Sequence, residues 1–212
     1  MNRIYTIAVV AGLTLTPLVY YKGKEQIEKY ETEQRGYYKL SLTPEKSYSN
    51  FYKELIAIPD DKPIHLSIET NGGEGVTTYK ICRRISKRRN PVKAIVTEGA
   101  YSAGTIIALS CHSLEMGPDA SLSAIDPQVE YPPKQTRLVR AGELMDGDTK
   151  KFREQCAKAD EEFSLMVKSY IHHNHDLEKV MKKMYEDVAH HETIFFPEQL
   201  RECGVRFKYI EK

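Results

Sequence analysis

The sequence has almost no net charge: 31 lysines and arginines against 30 aspartates and glutamates leave +1 at pH 7. Composition therefore gives no ground for a nucleic-acid partner or an acidic substrate. Its four cysteines, Cys82, Cys111, Cys156 and Cys203, are widely spaced and form no Cys-x-x-Cys pair. That pattern excludes a zinc knuckle and a dense disulfide framework, and leaves the cysteines as small, reduced, apolar residues. No Asn-x-Ser/Thr sequon occurs, so glycosylation offers no compartment signal. There is no internal repeat and no low-complexity stretch. The length, 212 residues, allows one ordinary domain with a short appendage.

Charge is missing altogether from Ile4 to Tyr21, with Arg3 before the run and Lys22 and Lys24 after it. As a helix rising ~1.5 Å per residue, the run spans roughly 27 Å, enough for a bilayer core. Tyr5, Tyr20 and Tyr21 sit near its ends, where aromatic belts form. No Ala-x-Ala processing site precedes the charged stretch. Residues 1–24 are therefore read as a single-pass membrane anchor, ahead of a signal peptide or a soluble hydrophobic arm. A polar spacer, 25–45, follows, leading into a strand or turn near Leu40-Ser-Leu-Thr-Pro44, and 46–212 form the globular domain.

Within that domain, Tyr48, Phe51, Leu55 and Ile58 fall on one helical face. Ile64, Leu66 and Ile68 alternate with polar residues as in a strand that ends at Asn71-Gly72-Gly73. Residues 75–89 read as a helix with Val76, Tyr79, Ile81, Cys82 and Ile85 inward, stopped by Asn90-Pro91. A strand at 92–97, a helix over 102–111 and a strand at 113–116 follow. Strand-helix-strand-helix-strand is the order of an α/β fold with a parallel sheet. A Pro-rich loop then precedes a long helical region, 145–187. A short helix capped by Gly204 and a last strand, 205–210, end the chain.

The chemistry-bearing segment is Gly99-Ala-Tyr-Ser-Ala-Gly-Thr-Ile-Ile-Ala-Leu-Ser110. Ser102, flanked by small residues, lies where a strand ends and a helix begins. Backbone N–H groups and the helix dipole there favour a developing anion. Ser102 is a candidate nucleophile or, more plainly, an N-cap. The Gly72-Gly73 turn lets the backbone approach a substrate closely, or is an ordinary turn. Both elements lie at the C-terminal ends of successive parallel strands, where open α/β sheets place their sites.

Thr70-Asn-Gly-Gly73, the Ser102 segment, Met116-Gly-Pro-Asp-Ala-Ser-Leu-Ser-Ala-Ile-Asp-Pro-Gln128 and the tail His191-Glu-Thr with Glu198-Gln-Leu-Arg-Glu-Cys-Gly-Val205 resemble the serine dehydrogenase proteinase family. That family is related to signal peptide peptidase A, the NfeD-associated membrane peptidases and the Clp protease subunit. The resemblance implies a ClpP/crotonase-like spiral of ββα units, assembled as a homo-oligomer. It implies Ser102 as nucleophile of a membrane-associated serine endopeptidase acting on peptides or membrane-protein tails, without a cofactor. Gly72, Gly73 and the Ala103 amide would form the oxyanion hole. For the general base, Clp-type enzymes place a histidine where this chain has Asp126. Membrane-bound relatives use a lysine in a Pro-Pro-Lys loop, which Pro132-Pro133-Lys134 matches. Lys134 is therefore the expected base, with Asp126 orienting it and His191 a secondary alternative. Other classes remain open: a catalytically silent scaffold at a membrane, or a crotonase-type acyl-CoA enzyme.

His172-x-x-His175 has ligand spacing, but no placed carboxylate or thiol completes a metal site. Arg83-Arg-Ile-Ser-Lys-Arg-Arg89 reads as the solvated face of a helix, since a nucleic-acid surface would interleave aromatics.

Overall fold

The computed structural model describes residues 36–130, 138–140 and 150–211. The expected anchor over 4–21 and the expected base Lys134 lie outside the described residues. The chain divides into two units, Met1–Tyr37 and Tyr38–Lys212; the architecture below is that of the second.

The first strand, β1 (Tyr38–Leu42), lies inside the stretch read as spacer and pairs in parallel with β2 (Ile64–Ile68), Tyr38 opposite Ile64. β3 (Val92–Val96) follows β2, β5 (Ser113–Met116) follows β3, and β10 (Lys208–Tyr209) closes the sheet. All four pairings are parallel, in the order β1-β2-β3-β5-β10. Alternation is what makes β2 a strand: Ile64, Leu66 and Ile68 are fully or almost fully buried, while His65 and Ser67 are half-buried.

Helix α1 (Tyr48–Ala57) begins at Ser47, whose hydroxyl accepts from the Asn50 amide, and buries Tyr48, Phe51 and Leu55. It packs on β1 and on α2 (Gly75–Ser86), which in turn packs on α3 (Ala103–Ser110) and α4 (Lys150–Tyr170). Every residue of α3 is buried, so this helix has no solvated face. Burying Ile106, Ile107 and Leu109 there contributes roughly 1.5–3 kcal/mol each.

Three expectations change. The inner face of α2 is Thr77, Thr78, Ile81, Cys82 and Ile85, whereas Val76 is 61% and Tyr79 37% exposed. The threonines can be buried because Thr77 Oγ1 donates to Glu74 Oε2 and Thr78 Oγ1 to the Glu74 carbonyl. The long helical region expected over 145–187 is interrupted after Tyr170. It restarts at α5 (Leu177–Met181), where Asp176 accepts from the Lys179 amide, and runs into a π-helical turn, Lys182–Glu186, so the region is helical as expected but in separate pieces. Finally, Arg88 is not on a solvated face. It is 5% exposed, and its guanidinium donates to the carbonyls of Ile58, Pro59 and Lys62 beside Asp60.

A second, smaller sheet has the order β4-β6-β9: β4 (Gly99–Ala100), β6 (Ser121–Ser123) and β9 (Ile194–Phe195). β4 and β6 run parallel; β6 and β9 run antiparallel. Strands β7 (Gln128–Glu130) and β8 (Leu138–Arg140) form a separate antiparallel pair. The short helix α6 (Pro197–Glu202) ends as the sequence suggests. Gly204, at φ +81, lets its own amide reach Arg201 O and that of Val205 reach Leu200 O.

Candidate active site

The directions of the small sheet decide which residues meet. Because β4 and β6 are parallel, their C-terminal ends lie side by side. Ser102 follows the end of β4, and Asp126 follows the end of β6. Because β9 is antiparallel to β6, its N-terminal end lies at that same edge, and the residues leading into it include His191.

The three side chains form one hydrogen-bonded line. His191 Nε2 is 3.2 Å from Ser102 Oγ, and His191 Nδ1 is 3.1 Å from Asp126 Oδ1. The Asp126 side chain is 3% exposed and that of His191 14%. A carboxylate on Nδ1 keeps the proton there and leaves Nε2 as acceptor for the serine hydroxyl. The loops are tied down on both sides. The Ala124 amide donates to Thr193 O, and the Ile125 amide to Met184 O in the π-helical turn. Thr193 holds His190 O through both its amide and its hydroxyl.

Ser102 has φ 51 and ψ −115, the only positive φ of a non-glycine residue among the described residues. Such a conformation costs of order 1–3 kcal/mol. It makes a sharp strand-to-helix elbow, the geometry that lifts a nucleophile clear of its backbone. The serine hydroxyl makes no capping bond to the helix that it precedes, so the plain N-cap reading does not describe it. Gly104 is required by packing: a Cβ there would stand 2.4 Å from Thr70 Cγ2.

Of the glycines singled out, Gly72 faces the serine. Its φ is +113, and a Cβ on it would lie 2.9 Å from Ser102 Cβ. Thr70 holds this turn against the elbow, since Thr70 N–H donates to Gly99 O and Tyr101 N–H to Thr70 O. The Gly72 amide itself donates to Thr70 Oγ1 at 3.3 Å. A Cβ on Gly73 would meet the Tyr48 ring at 2.5 Å instead. Beside the elbow is an open groove of about 410 Å³, lined by Thr70, Asn71, Tyr101, Ile194 and Phe196 among others.

Sequence reasoning had Ser102, Asp126 and Gly72, and the structure brings these three together. Asp126 faces His191, the secondary alternative, which now stands where the base was sought. The available signal for His191 was its place in the family-like tail. Among the described residues no group of three or more His, Cys, Asp or Glu is arranged to hold a metal ion.

Comparison with known proteins gives a family and a fold. Residues 42–208 match the ClpP-like SDH-type serine proteinases. Two proteins of Methanocaldococcus jannaschii are similar in sequence. Uncharacterized protein MJ0137 is 36% identical over 81 residues, 38% of this chain and 28% of that one. Uncharacterized protein MJ1495 is 26% identical over 153 residues, 69% of this chain and 52% of that one. The chain thus spans about half the length of these relatives or less. Two solved structures share the α/β fold. Both are variants of the 1510-N membrane-bound stomatin-specific protease, one of them in complex with a substrate peptide. Each has a TM-score of 0.60 and 20% identity over 83% of this chain, covering 75% and 80% of the respective chains. Since the family match extends over most of the sequence, the chain belongs to the ClpP-like SDH-type serine proteinases.

Proposed function

We propose that this chain cleaves peptide bonds through an acyl-enzyme formed on Ser102, with His191 as general base and Asp126 orienting the imidazole. The observation that carries the proposal is the continuous line Ser102 Oγ–His191 Nε2, His191 Nδ1–Asp126 Oδ1, at 3.2 and 3.1 Å. In the first step Oγ attacks the scissile carbonyl carbon as its proton passes to Nε2. The resulting imidazolium, held by the Asp126 carboxylate, then returns that proton to the leaving amine. Water, deprotonated by the same imidazole, attacks the ester carbonyl and releases Ser102. The Ala103 amide, next after the nucleophile, and the Gly73 amide are the donors for the tetrahedral oxyanion. The role of Gly72 is to admit the elbow. In this scheme His191 takes the role expected of Lys134, and a base within reach of Ser102 favours the enzyme over a silent scaffold.

The groove beside Tyr101, with Ile194 and Phe196 exposed along it, suits an extended peptide. The uncharged run over 4–21 supports action near a bilayer. Among the described residues no helix is long and apolar enough to cross a membrane, so this part rests on the N-terminal sequence. The family resemblance supports a homo-oligomer and the ββα spiral.

A fluorophosphonate probe tests the chemistry. Labelling is expected to depend on both Ser102 and His191 and to survive Lys134→Ala. A wild-type chain that resists the probe refutes the enzyme reading. Alkaline carbonate extraction tests the anchor, and release of the full-length chain into the supernatant refutes it.

A further inference from the structure

We propose that Ser123 is a positioning residue for the nucleophile: its hydroxyl holds the Ser102 amide and so fixes the strained elbow that presents Oγ. This rests on the reading of Ser102 as nucleophile. The Ser102 N–H donates to Ser123 Oγ at 2.7 Å, at the short end for an N–H···O bond. Ser123 is 3% exposed, so water does not compete for that hydroxyl.

The hydroxyl has no freedom left to turn away. It donates its own proton to Ala124 O at 3.1 Å. The Ser123 amide donates to Thr105 Oγ1 at 3.0 Å, and Thr105 Oγ1 donates to Ala100 O at 2.7 Å. Thr105 is fully buried. The bonds close a circuit that grips the chain on both sides of the elbow: Ala100 before it, Ser102 within it, Thr105 one turn into α3.

The sheet register explains why a side chain does this work. Gly99 pairs with Ser121 and Ala100 with Leu122; the next residues along the two strands are Tyr101 and Ser123. At φ 51 the elbow has left the extended backbone that a ladder requires. The amide of Ser102 turns to a hydroxyl on β6 in place of a ladder carbonyl. Strained backbone persists only where its surroundings over-determine it. Removing the hydroxyl takes the acceptor from a partly buried amide and gives the elbow a reason to relax.

Fluorophosphonate labelling kinetics of the full-length chain, at a temperature where circular dichroism shows it folded, test this without a known substrate. Ser123→Ala is expected to lower the maximal labelling rate by about 10- to 100-fold, the loss of one short, partly buried hydrogen bond expressed at the reacting atom. The probe concentration at half-saturation and the shape of the pH profile should be unchanged, because His191 and Asp126 are untouched. Ser123→Thr, which keeps the hydroxyl, should recover the rate to within a few-fold. A purely structural serine would lower the melting temperature and leave the labelling rate of the folded protein alone; that result overturns the proposal. If Ser123→Ala does not stay folded, Ser123→Cys, of similar size with a weak acceptor, carries the test. It must label more slowly than wild type, and an equal rate is again fatal. A wild-type chain that never labels refutes Ser102 itself, a different failure from a fast-labelling Ser123→Ala.

Discussion

His191 and Ser102 are 89 residues apart in the chain, and the imidazole Nε2 stands 3.2 Å from the serine Oγ. Because members of such a line act as a unit, their losses do not add. Ser102→Ala, His191→Ala and the double variant should be about equally inactive, each down on the order of 10⁶ in turnover by analogy with other serine peptidases. Lys134→Ala should retain near-normal turnover. A dead Lys134→Ala beside an active His191→Ala would return the role of base to the lysine.

Asp126→Asn keeps the size of the side chain but no longer holds the proton on Nδ1. It should cost roughly 10⁴ in kcat, the scale seen when a triad imidazole is left in the wrong tautomer. The melting temperature should move little. Turnover measured beside a thermal melt separates the two effects, and full activity in this variant would remove Asp126 from the site.

The two glycines of the turn should fail differently. Gly72→Ala forces a Cβ to 2.9 Å from Ser102 Cβ at a φ of +113, so the damage lands on the nucleophile. We expect a loss of activity larger than its loss of stability. Gly73→Ala drives a Cβ into the buried Tyr48 ring and should lower the denaturation midpoint more than Gly72→Ala does, with activity falling as well because its amide is the proposed oxyanion donor. Equal behaviour of the two variants in paired activity and urea assays would contradict this division.

How far the sequence reached depends on the range of each interaction. Ile64, Leu66 and Ile68 declare β2 because alternation is local. Ser102 could be found because small residues crowd around an elbow, and Gly104 has a packing reason to be there. His191 was harder to find. Its partner is chosen by the pairing of Ser123 with Ile194, a long-range event that leaves no local period. Arg88 was misread for a similar reason. Its neighbours in sequence are exposed cations, but the three carbonyls it binds come from 26 to 30 residues upstream. The face of α2 was misjudged because threonines count as polar until Glu74 satisfies them.

Arg88→Lys should therefore destabilise the fold. A lysine cannot span three carbonyls with a planar fork. The buried carbonyls left without donors should cost about 2–4 kcal/mol, read as a shift of the urea midpoint at constant slope. A shift under a few tenths of a kcal/mol would mean that the loop over 58–62 holds itself.

Acid should loosen the domain through His175. Its Nδ1 accepts from the Arg206 amide, and burial, then His172 and Arg206, push it down to about 4 from 6.5. Above pH 6.5 the imidazole is neutral in both the folded and the unfolded chain, and its burial costs nothing in protons. As pH falls from 6.5 towards 4 the unfolded chain binds a proton that the folded one refuses. Stability drops across that window by about 3 kcal/mol at most. His175→Gln, which keeps an acceptor, should flatten the pH dependence of the urea midpoint between 6.5 and 4. An unchanged slope there would assign the acid sensitivity to other groups.

The small sheet β4-β6-β9 also sets a schedule. A chain emerging from the ribosome carries Ser102 and Asp126, the proposed nucleophile and orienting carboxylate, well before His191, the proposed base. Until β9 docks on β6, Ser102 lacks its proposed proton acceptor and the groove lacks its Ile194 and Phe196 wall. If the proposed mechanism holds, activity would be conferred only by this late docking step of folding. On the proposed mechanism, a molecule whose β9 has come away from β6 would hold Ser102 without its base and would not cut its neighbours.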